Sequence, residues 1–318
     1  MTKISIVVPC YNEEENVIPL SEAIQEQFTE YLSQYDYEII FIDNDSKDTT
    51  REKLEMLCQN NDKIKAILNA KNFGQFNSPY YGMCQSTGDC TVLLAADFQD
   101  PVELIPSLVH EWEQGYKIVS AIKTSSLENP VMRFLRTCYY KVIKKMSDVE
   151  QIEHFTGFGL YDKSFIEVLK NLDDSTPFLR GIVAELGFKR KEIPYEQQKR
   201  RAGKTSNNWY RLYDAAMLSF TSYTKVGMRL ATFLGFVISF LSLAVAGVYL
   251  VLKLIYWDSF PMGNAPILIG VFTLGGLQLF FIGLLGEYIM SMNARIMKRP
   301  LVIEERRINF NESDEVEV

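Results

Sequence analysis

The sequence has few of the residues that build histidine-based or cysteine-based sites. Only two of its 318 residues are histidines, His110 and His154, so a histidine-rich zinc site is excluded. The five cysteines form no CxxC pair and no even-numbered framework. We therefore interpret them as reduced thiols that neither form disulfide bonds nor bind a metal.

The sequence also contains fewer basic than acidic residues. Lysine and arginine number 33 against 40 aspartates and glutamates, which gives a net charge of −7 and argues against a general nucleic-acid binder. The length is enough for one large or two ordinary domains. Because an apolar run begins within a few residues of Met1, we expect no signal peptide.

Two long stretches near the C-terminus lack charged residues altogether. They run from Leu230 to Leu252 and from Ser259 to Gly286, and each reaches the roughly 20 residues that a helix needs to cross a hydrocarbon core. A very apolar core helix is the alternative. Because only a short turn separates the stretches, residues 230–290 predict a transmembrane hairpin with spans at about 230–254 and 266–290.

Basic residues flank this predicted hairpin on both sides. They are Lys225, Arg229, Arg295, Lys298, Arg299, Arg306 and Arg307. Excess positive charge marks the cytoplasmic side of a span, so we expect both chain ends on the cytoplasmic face of an inner or plasma membrane. Residues 209–229 predict a juxtamembrane amphipathic helix, and residues 291–318 a cytoplasmic tail.

Residues 1–208 alternate apolar strand patterns with helical patterns. Five predicted strands are centred on Ile4–Val8, Glu38–Ile42, Ile64–Leu68, the run from Thr91 and Lys117–Ile122, with two more at Phe155–Tyr161 and Phe188–Tyr195. Such alternation predicts an α/β domain with a mostly parallel, doubly wound sheet. A basic amphipathic helix is also predicted at residues 130–146; it suits either a lipid surface or packing on its own domain.

Polar residues follow three of these predicted strands. The strand ends read Pro9-Cys10-Tyr11-Asn12-Glu13, Asp43-Asn44-Asp45-Ser46 and Asp97-Phe98-Gln99-Asp100. Carboxyl ends of parallel strands meet at one edge, where α/β folds bind ligands, so we expect one crevice. Turn chemistry is the alternative for Asp43 and Asp45, and helix capping for Asp97. Asn12 before three glutamates also predicts a helix cap and first turn.

These segments together resemble a known enzyme family. "VVPCYNEEENV", "FIDNDSKDTT", "KNFGQ" and "AADFQDP", in this order, resemble the family 2 inverting glycosyltransferases of the Rossmann-like GT-A fold. The later "PFLRGIVAELGF", "RRAGKTS" and "GLLGEYI" are similar to the polyprenyl-phosphate glycosyltransferases, the group of bactoprenol glucosyltransferases and dolichol-phosphate mannose synthase. The resemblance extends to about residue 300.

The resemblance implies a set of site residues. The nucleotide would be bound by Pro9, Tyr11, Glu13, Asp43, Asp45 and Asn72. Asp97 would hold Mg²⁺ or Mn²⁺, with Gln99 and Asp100 beside the sugar or diphosphate. The acceptor phosphate or the donor diphosphate would be bound by Arg180, Arg200, Arg201 and Lys204. Alternatives remain open for three of these assignments. Asn72 can simply form a turn, and Arg180 can form a structural ion pair. The basic residues at 199–204 can contact anionic lipid headgroups.

Two positions depart from the family pattern. Ala95 stands where the first metal-binding aspartate is usual, and Gly157 stands where relatives commonly carry an aspartate. Mg²⁺ is often held by one or two carboxylates together with phosphate oxygens and waters, so Asp97 and the diphosphate can suffice. An acceptor phosphate is already ionised at neutral pH, so a strong general base is less necessary than for a hydroxyl acceptor.

The resemblance implies inverting transfer of a sugar from a nucleotide sugar, most simply a UDP-sugar, to polyprenyl (undecaprenyl) phosphate at the cytoplasmic membrane face. The product would supply envelope glycans. Membrane lipid is then a partner, and family members form homo-oligomers, tetramers among them. Two other hypotheses are a different acceptor, such as diacylglycerol or a polysaccharide, and a catalytically degenerate scaffold that binds nucleotide sugars, as Ala95 would suggest.

Overall fold

The computed structural model of the chain describes residues 1–125, 152, 154–172, 174, 176–201, 217–218, 226–255, 264–297 and 299–310. The predicted helix at 130–146, the cation Lys204 and the final residues 311–318 lie outside the described residues. Of the predicted juxtamembrane helix, residues 217–218 and the start of the first long helix are described, and both are helical.

Eight strands form a single sheet at the centre of the fold. They are β1 (Lys3–Cys10), β2 (Asp36–Asp43), β3 (Ile64–Asn69), β4 (Cys90–Leu93), β5 (Ile118–Ser125), β6 (Phe155–Asp162), β7 (Arg190–Glu196) and β8 (Glu304–Ile308). Their order across the sheet is β7-β5-β6-β4-β1-β2-β3-β8. All run in one direction except β6 and β8. The prediction of a mostly parallel α/β sheet is confirmed.

Helices cover both faces of this sheet. The helices that pack on it are α1 (Val17–Glu30), α2 (Thr50–Asn60), α3 (Gly74–Cys84), α4 (Ile105–Glu113), α5 (Lys163–Asn171) and α6 (Leu179–Glu185). Two longer helices, α7 (Val226–Ile255) and α8 (Asn264–Ile296), follow later in the chain. Successive side chains of a strand point to opposite faces. Ile6 of β1 accordingly packs in one core cluster with α1, whereas Val7 packs in a second cluster with α3 and α5.

The start of α1 differs from the prediction. The helix begins at Val17, and Asn12 adopts a left-handed backbone with φ 55°. The Asn12 side-chain oxygen accepts a hydrogen bond from the backbone N–H of Lys47 at 2.8 Å. The prediction that Asn12 caps the helix is therefore wrong, because its side chain joins the loops that follow β1 and β2.

The sequence did not predict β8, which lies within the expected tail. This strand pairs antiparallel with β3, and the Asn309 side-chain amide donates to the carbonyls of Cys58 (2.7 Å) and Ile64 (2.8 Å). Arg306 pairs with Glu55 and Arg307 with Glu304. These two arginines therefore stabilise the edge of the sheet, whereas the sequence pattern placed them among the charges that flank a membrane span.

Two long helices, α7 and α8, lie between β7 and β8 in the chain. Large apolar side chains on them are exposed, among them Phe236 (73%) and Leu279 (71%). Within the residues that the structure describes, one stretch, Leu274–Ala294 of α8, is long and apolar enough to cross a membrane. A transmembrane hairpin of two spans remains a prediction.

Candidate active site

The carboxyl ends of β4, β1, β2 and β3 lie side by side at one edge of the sheet. Cys10 at the end of β1 is in register with Asp43 at the end of β2, and Val7 is in register with Leu93 of β4. The structure therefore brings the three polar strand ends to a common edge, as the pattern of the sequence predicted.

The loops after β1 and β2 are tied together by hydrogen bonds. The backbone N–H of Asn12 donates to the Ser46 hydroxyl at 2.8 Å, and that of Glu13 donates to the Thr50 hydroxyl at 2.9 Å. Asp45 has φ 66°, a left-handed conformation that aspartate tolerates better than most residues. Tyr11, Glu13, Asp43 and Asp45 consequently belong to one connected pair of loops.

Asp43 is fully buried and only half satisfied. Its Oδ2 accepts from the backbone N–H of Ser46 (3.1 Å) and from Nε of Arg51 (2.8 Å). Its Oδ1 has no hydrogen-bond partner among the described residues. A buried acceptor without a donor is costly and calls for an explanation. Turn chemistry accounts for one carboxylate oxygen of Asp43, and the other remains available to a ligand.

Glu13 is a buried acid beside this pocket. Its Oε2 accepts from the Asn16 side-chain amide at 2.6 Å, and its Oε1 accepts from the Arg200 guanidinium. Burial raises the pKa of Glu13, although the hydrogen bond from Asn16 and the charge of Arg200 act in the opposite direction. The carboxylate is therefore held in place by a cation from a distant part of the chain.

Asn72 lies in a network of side-chain amides at the end of β3. Its Oδ1 accepts from the Asn44 amide (3.0 Å) and from the backbone N–H of Gly74 (2.9 Å). Asn44 is buried, and its own Oδ1 accepts from Phe73 N–H and the Ser78 hydroxyl, both at 2.8 Å. These contacts favour the turn interpretation for Asn72. The sequence analysis missed Asn44, whose only signal was its place between two acids.

The loop after β4 holds the second group of acids. Asp97 is partly exposed, and its Oδ1 accepts from the backbone N–H of Gln99 at 3.2 Å. A short 3-10 helix (Val102–Leu104) and then α4 follow this loop. Their capping positions are Pro101 and Leu104, so Asp97 caps neither helix. Of the two interpretations given to Asp97, helix capping is therefore excluded.

Asp100 is buried behind Asp97. Its Oδ1 accepts from the Tyr195 hydroxyl on β7 at 2.8 Å, and its Oδ2 accepts from the backbone N–H of Ala95 at 3.4 Å. Burial raises the pKa of Asp100 to about 6, with the hydrogen bond from Tyr195 opposing the shift. Both oxygens thus have protein donors, which fits a residue that shapes the loop.

The basic segment after β7 runs along this acidic loop. The backbone N–H of Arg201 donates to the carbonyl of Asp97 at 3.4 Å, and the Arg201 guanidinium lies 5.1 Å from the centre of the Phe98 ring. Arg200 pairs with Glu13, and its Nε lies 3.8 Å from Oδ2 of Asp97. One guanidinium therefore connects the acids after β1 with the acids after β4.

Arg180 is half-buried at the start of α6 and makes no ion pair within the described part of the chain. Burial raises the pKa of the Tyr161 hydroxyl, which the charge of Arg180 counteracts. Tyr161 donates to the carbonyl of Gly157 at 2.6 Å, and Gly157 has φ 106°, where side chains are strained. The structural ion pair, which was the alternative to phosphate binding by Arg180, is thus not present among the described residues.

The acids fit a divalent cation only in part. Ala95 contributes no ligand, and the described residues contain no group of three histidines, cysteines or acids arranged to hold a metal. Asp100 already has two donors, whereas Asp97 keeps free acceptor capacity on a partly exposed carboxylate. A site for Mg²⁺ or Mn²⁺ would therefore need further ligands, such as diphosphate oxygens.

Comparisons with known proteins identify the family and its relatives. The profile of the family described as "Glycosyl transferase family 2" matches residues 5–187. The chain is 33% identical to an uncharacterized glycosyltransferase of Synechocystis over 95% of this chain and 94% of that protein. It is 31% identical to a "prophage bactoprenol glucosyl transferase homolog" of Escherichia coli, over 96% of this chain and 99% of the relative.

A solved structure of glucosyl-3-phosphoglycerate synthase from Mycobacterium tuberculosis, in complex with Mn²⁺, UDP and phosphoglyceric acid, is also similar. The TM-score is 0.46 at 16% identity, and the match covers 69% of this chain and 76% of that one.

Proposed function

We propose that this chain, which belongs to glycosyl transferase family 2, moves a sugar from a nucleotide sugar to a polyprenyl phosphate, with inversion at the anomeric carbon. The observation that carries the proposal is the bridge from Glu13 through Arg200 to Asp97. This bridge joins the loop after β1 to the loop after β4 at the carboxyl edge of one sheet, which supports our proposal of adjacent sites for the nucleoside and the diphosphate.

The nucleoside end is assigned to the loops after β1 and β2. The partnerless Oδ1 of Asp43 is suited to an N–H donor, and uracil offers one at N3. The other bases carry N–H donors as well, so this contact is compatible with a UDP-sugar, the donor that the family resemblance implies, and does not by itself select it. Oδ1 is shielded from solvent, so a base reaches it only after the side chains that cover it move.

The diphosphate end is assigned to Arg200, Arg201 and Asp97. A guanidinium group can form two parallel hydrogen bonds with the oxygens of one phosphate. When the donor binds, Arg200 therefore exchanges its contacts with Glu13 and Asp97 for contacts with the diphosphate. A divalent cation held by Asp97 would add charge stabilisation of the departing diphosphate. Arg201 keeps its backbone contact to Asp97 and thereby fixes the loop.

The reaction itself asks little of acid–base groups. An oxygen of the acceptor phosphate attacks the anomeric carbon, the bond from that carbon to the diphosphate breaks, and the configuration inverts. Because the attacking phosphate is already ionised, the absence of a side chain at Gly157 is compatible with this step. The cationic side chains stabilise the negative charge that develops on the leaving diphosphate.

The polyprenyl acceptor is supported by the relatives named for bactoprenol and by the exposed apolar helices. Since β7 precedes α7 and β8 follows α8 in one sheet, any membrane between them is crossed an even number of times. We therefore propose α7 as a second span beside Leu274–Ala294, with the catalytic domain on the cytoplasmic face. Homo-oligomers would pack through open small residues such as Gly235 and Gly275.

The test uses membranes that carry the full chain. They are incubated with polyprenyl phosphate, Mg²⁺ or Mn²⁺, and a panel of radiolabelled nucleotide sugars, and label is measured in the organic phase. We expect label from one donor, lost in Asp97→Asn and retained in Asp62→Asn, an exposed acid outside the site. Label in diacylglycerol within the organic phase, or in polysaccharide within the aqueous phase, would assign another acceptor, and nucleotide binding without any transfer would favour the scaffold.

A further inference from the structure

Arg51 of α2 joins three separate parts of the fold. Its Nε donates to Oδ2 of Asp43 at 2.8 Å, and one terminal nitrogen donates to the carbonyl of Asn69 at the end of β3 at 2.6 Å. The other terminal nitrogen donates to Oε2 of Glu305 on β8 at 2.8 Å. All three nitrogens of the guanidinium are therefore engaged.

These contacts fix the orientation of the Asp43 carboxylate. Arg51 and the backbone N–H of Ser46 both donate to Oδ2, so rotation of the carboxylate would break two hydrogen bonds. Oδ1 is left without a partner as a result. The guanidinium is planar and its donors have fixed directions, so its own anchors decide where Oδ2, and with it Oδ1, can lie.

One of those anchors comes from the far end of the chain. Glu305 follows α8 by sequence and lies outside residues 5–187, the part that matches the family profile. The side chain of Arg51 is 22% exposed and that of Glu305 is 58% exposed. We therefore expect this ion pair to add little to the overall stability of the protein. Its consequence lies in the geometry of Asp43.

We propose that Arg51 is a positioning residue for the donor nucleotide, and that β8 holds it in place through Glu305. The segment that returns from the two long helices thereby completes the nucleotide pocket without touching the nucleotide. The proposal rests on the function proposed above, in which Asp43 receives the base.

The chain provides a matched control on the same strand. Arg306 of β8 pairs with Glu55 of α2, also at the surface, and neither residue contacts Asp43 or Arg51 in the described part of the chain. Because both pairs lie at the surface, we expect the removal of either one to weaken the docking of β8 on α2 only slightly. Only the Arg51–Glu305 pair connects to Asp43, so a difference between the two variants reports on positioning.

The experiment measures UDP binding to the full-length protein in detergent with Mn²⁺, by calorimetry, for wild type, Glu305→Gln, Arg306→Gln and Arg51→Lys. We expect Glu305→Gln to raise the Kd for UDP about three- to tenfold, because part of one charge-assisted hydrogen bond is lost. Arg306→Gln should change the Kd for UDP less than twofold. Arg51→Lys keeps the positive charge but loses the planar set of donors that contacts Asp43, Asn69 and Glu305 at once. Its Kd for UDP should therefore rise at least as much as that of Glu305→Gln.

A second readout separates positioning from general damage. Donor KM should rise in Glu305→Gln while kcat is retained, because the base lies away from the reacting bond. Equal Kd values for Glu305→Gln and Arg306→Gln would overturn the inference while leaving the proposed function intact. Binding of no nucleoside diphosphate by wild type, with GDP, CDP and ADP also tried, would overturn both.

Discussion

Removal of the Arg200 guanidinium is the perturbation that reaches most of the site at once. In Arg200→Gln, Glu13 keeps its Asn16 partner but loses its cation, and Asp97 loses the nearby positive charge. A charge-assisted hydrogen bond contributes about 1.5–3 kcal/mol. Because Glu13 is buried and Arg200 only partly exposed, we expect a Glu13–Arg200 coupling energy of about 1–2 kcal/mol in the free energy of unfolding.

The assay is a double-mutant cycle of Glu13→Gln and Arg200→Gln, with urea unfolding followed by tryptophan fluorescence. In parallel, kcat should fall about 10²–10³-fold in Arg200→Gln, the loss reported when one preorganised donor to a developing oxyanion is removed. A coupling energy below about 0.5 kcal/mol would refute the structural bridge, since that is the level at which independent sites add. An unchanged kcat would refute the role of Arg200 at the diphosphate.

Three further perturbations address other parts of the site. Gly157→Ala places a side chain at φ 106°, so we expect the free energy of unfolding to fall by about 1–3 kcal/mol in urea titrations, and an unchanged midpoint would contradict the strain. Burial raises the pKa of Asp100 to about 6, so its contribution to stability is present at low pH and lost as pH rises from about 4 through 6. Asp100→Asn should remove that slope, and a parallel slope in the variant would contradict it. Ala95→Asp restores a second carboxylate near Asp97 and should lower the Kd for Mn²⁺ in the absence of donor, measured by calorimetry; an unchanged Kd would place residue 95 away from the metal.

The strands that carry the site could be predicted because their apolar runs are buried on both faces of the sheet. Ile39–Ile42 of β2 is such a run, and it is fully buried. β8 could not be predicted, because Glu304–Ile308 is mostly charged and makes an edge strand through backbone pairing and ion pairs. The start of α1 was misjudged because a loop contact to Lys47 outweighed the local capping pattern of Asn12.

Within the site, the sequence identified acids by their place after strands but not by their partners. Tyr195 reaches Asp100 across 95 positions in the chain, and Arg200 reaches Glu13 across 187. Such contacts are set by the order of strands in the sheet, which no local pattern contains. The same reason hid Arg51, whose position in an ordinary surface helix gave no sign of its contacts to Asp43 and β8.

Transfer of the sugar to polyprenyl phosphate can be observed directly at the acceptor phosphate. Purified full-length protein in detergent, with polyprenyl phosphate, Mn²⁺ and the donor identified in the membrane assay, is monitored by phosphorus NMR, and the anomeric proton of the product is then recorded. We expect conversion of the phosphate monoester to a phosphodiester whose sugar has the anomeric configuration opposite to that of the donor. Consumption of the nucleotide sugar with the monoester unchanged, or a product with retained configuration, would contradict it.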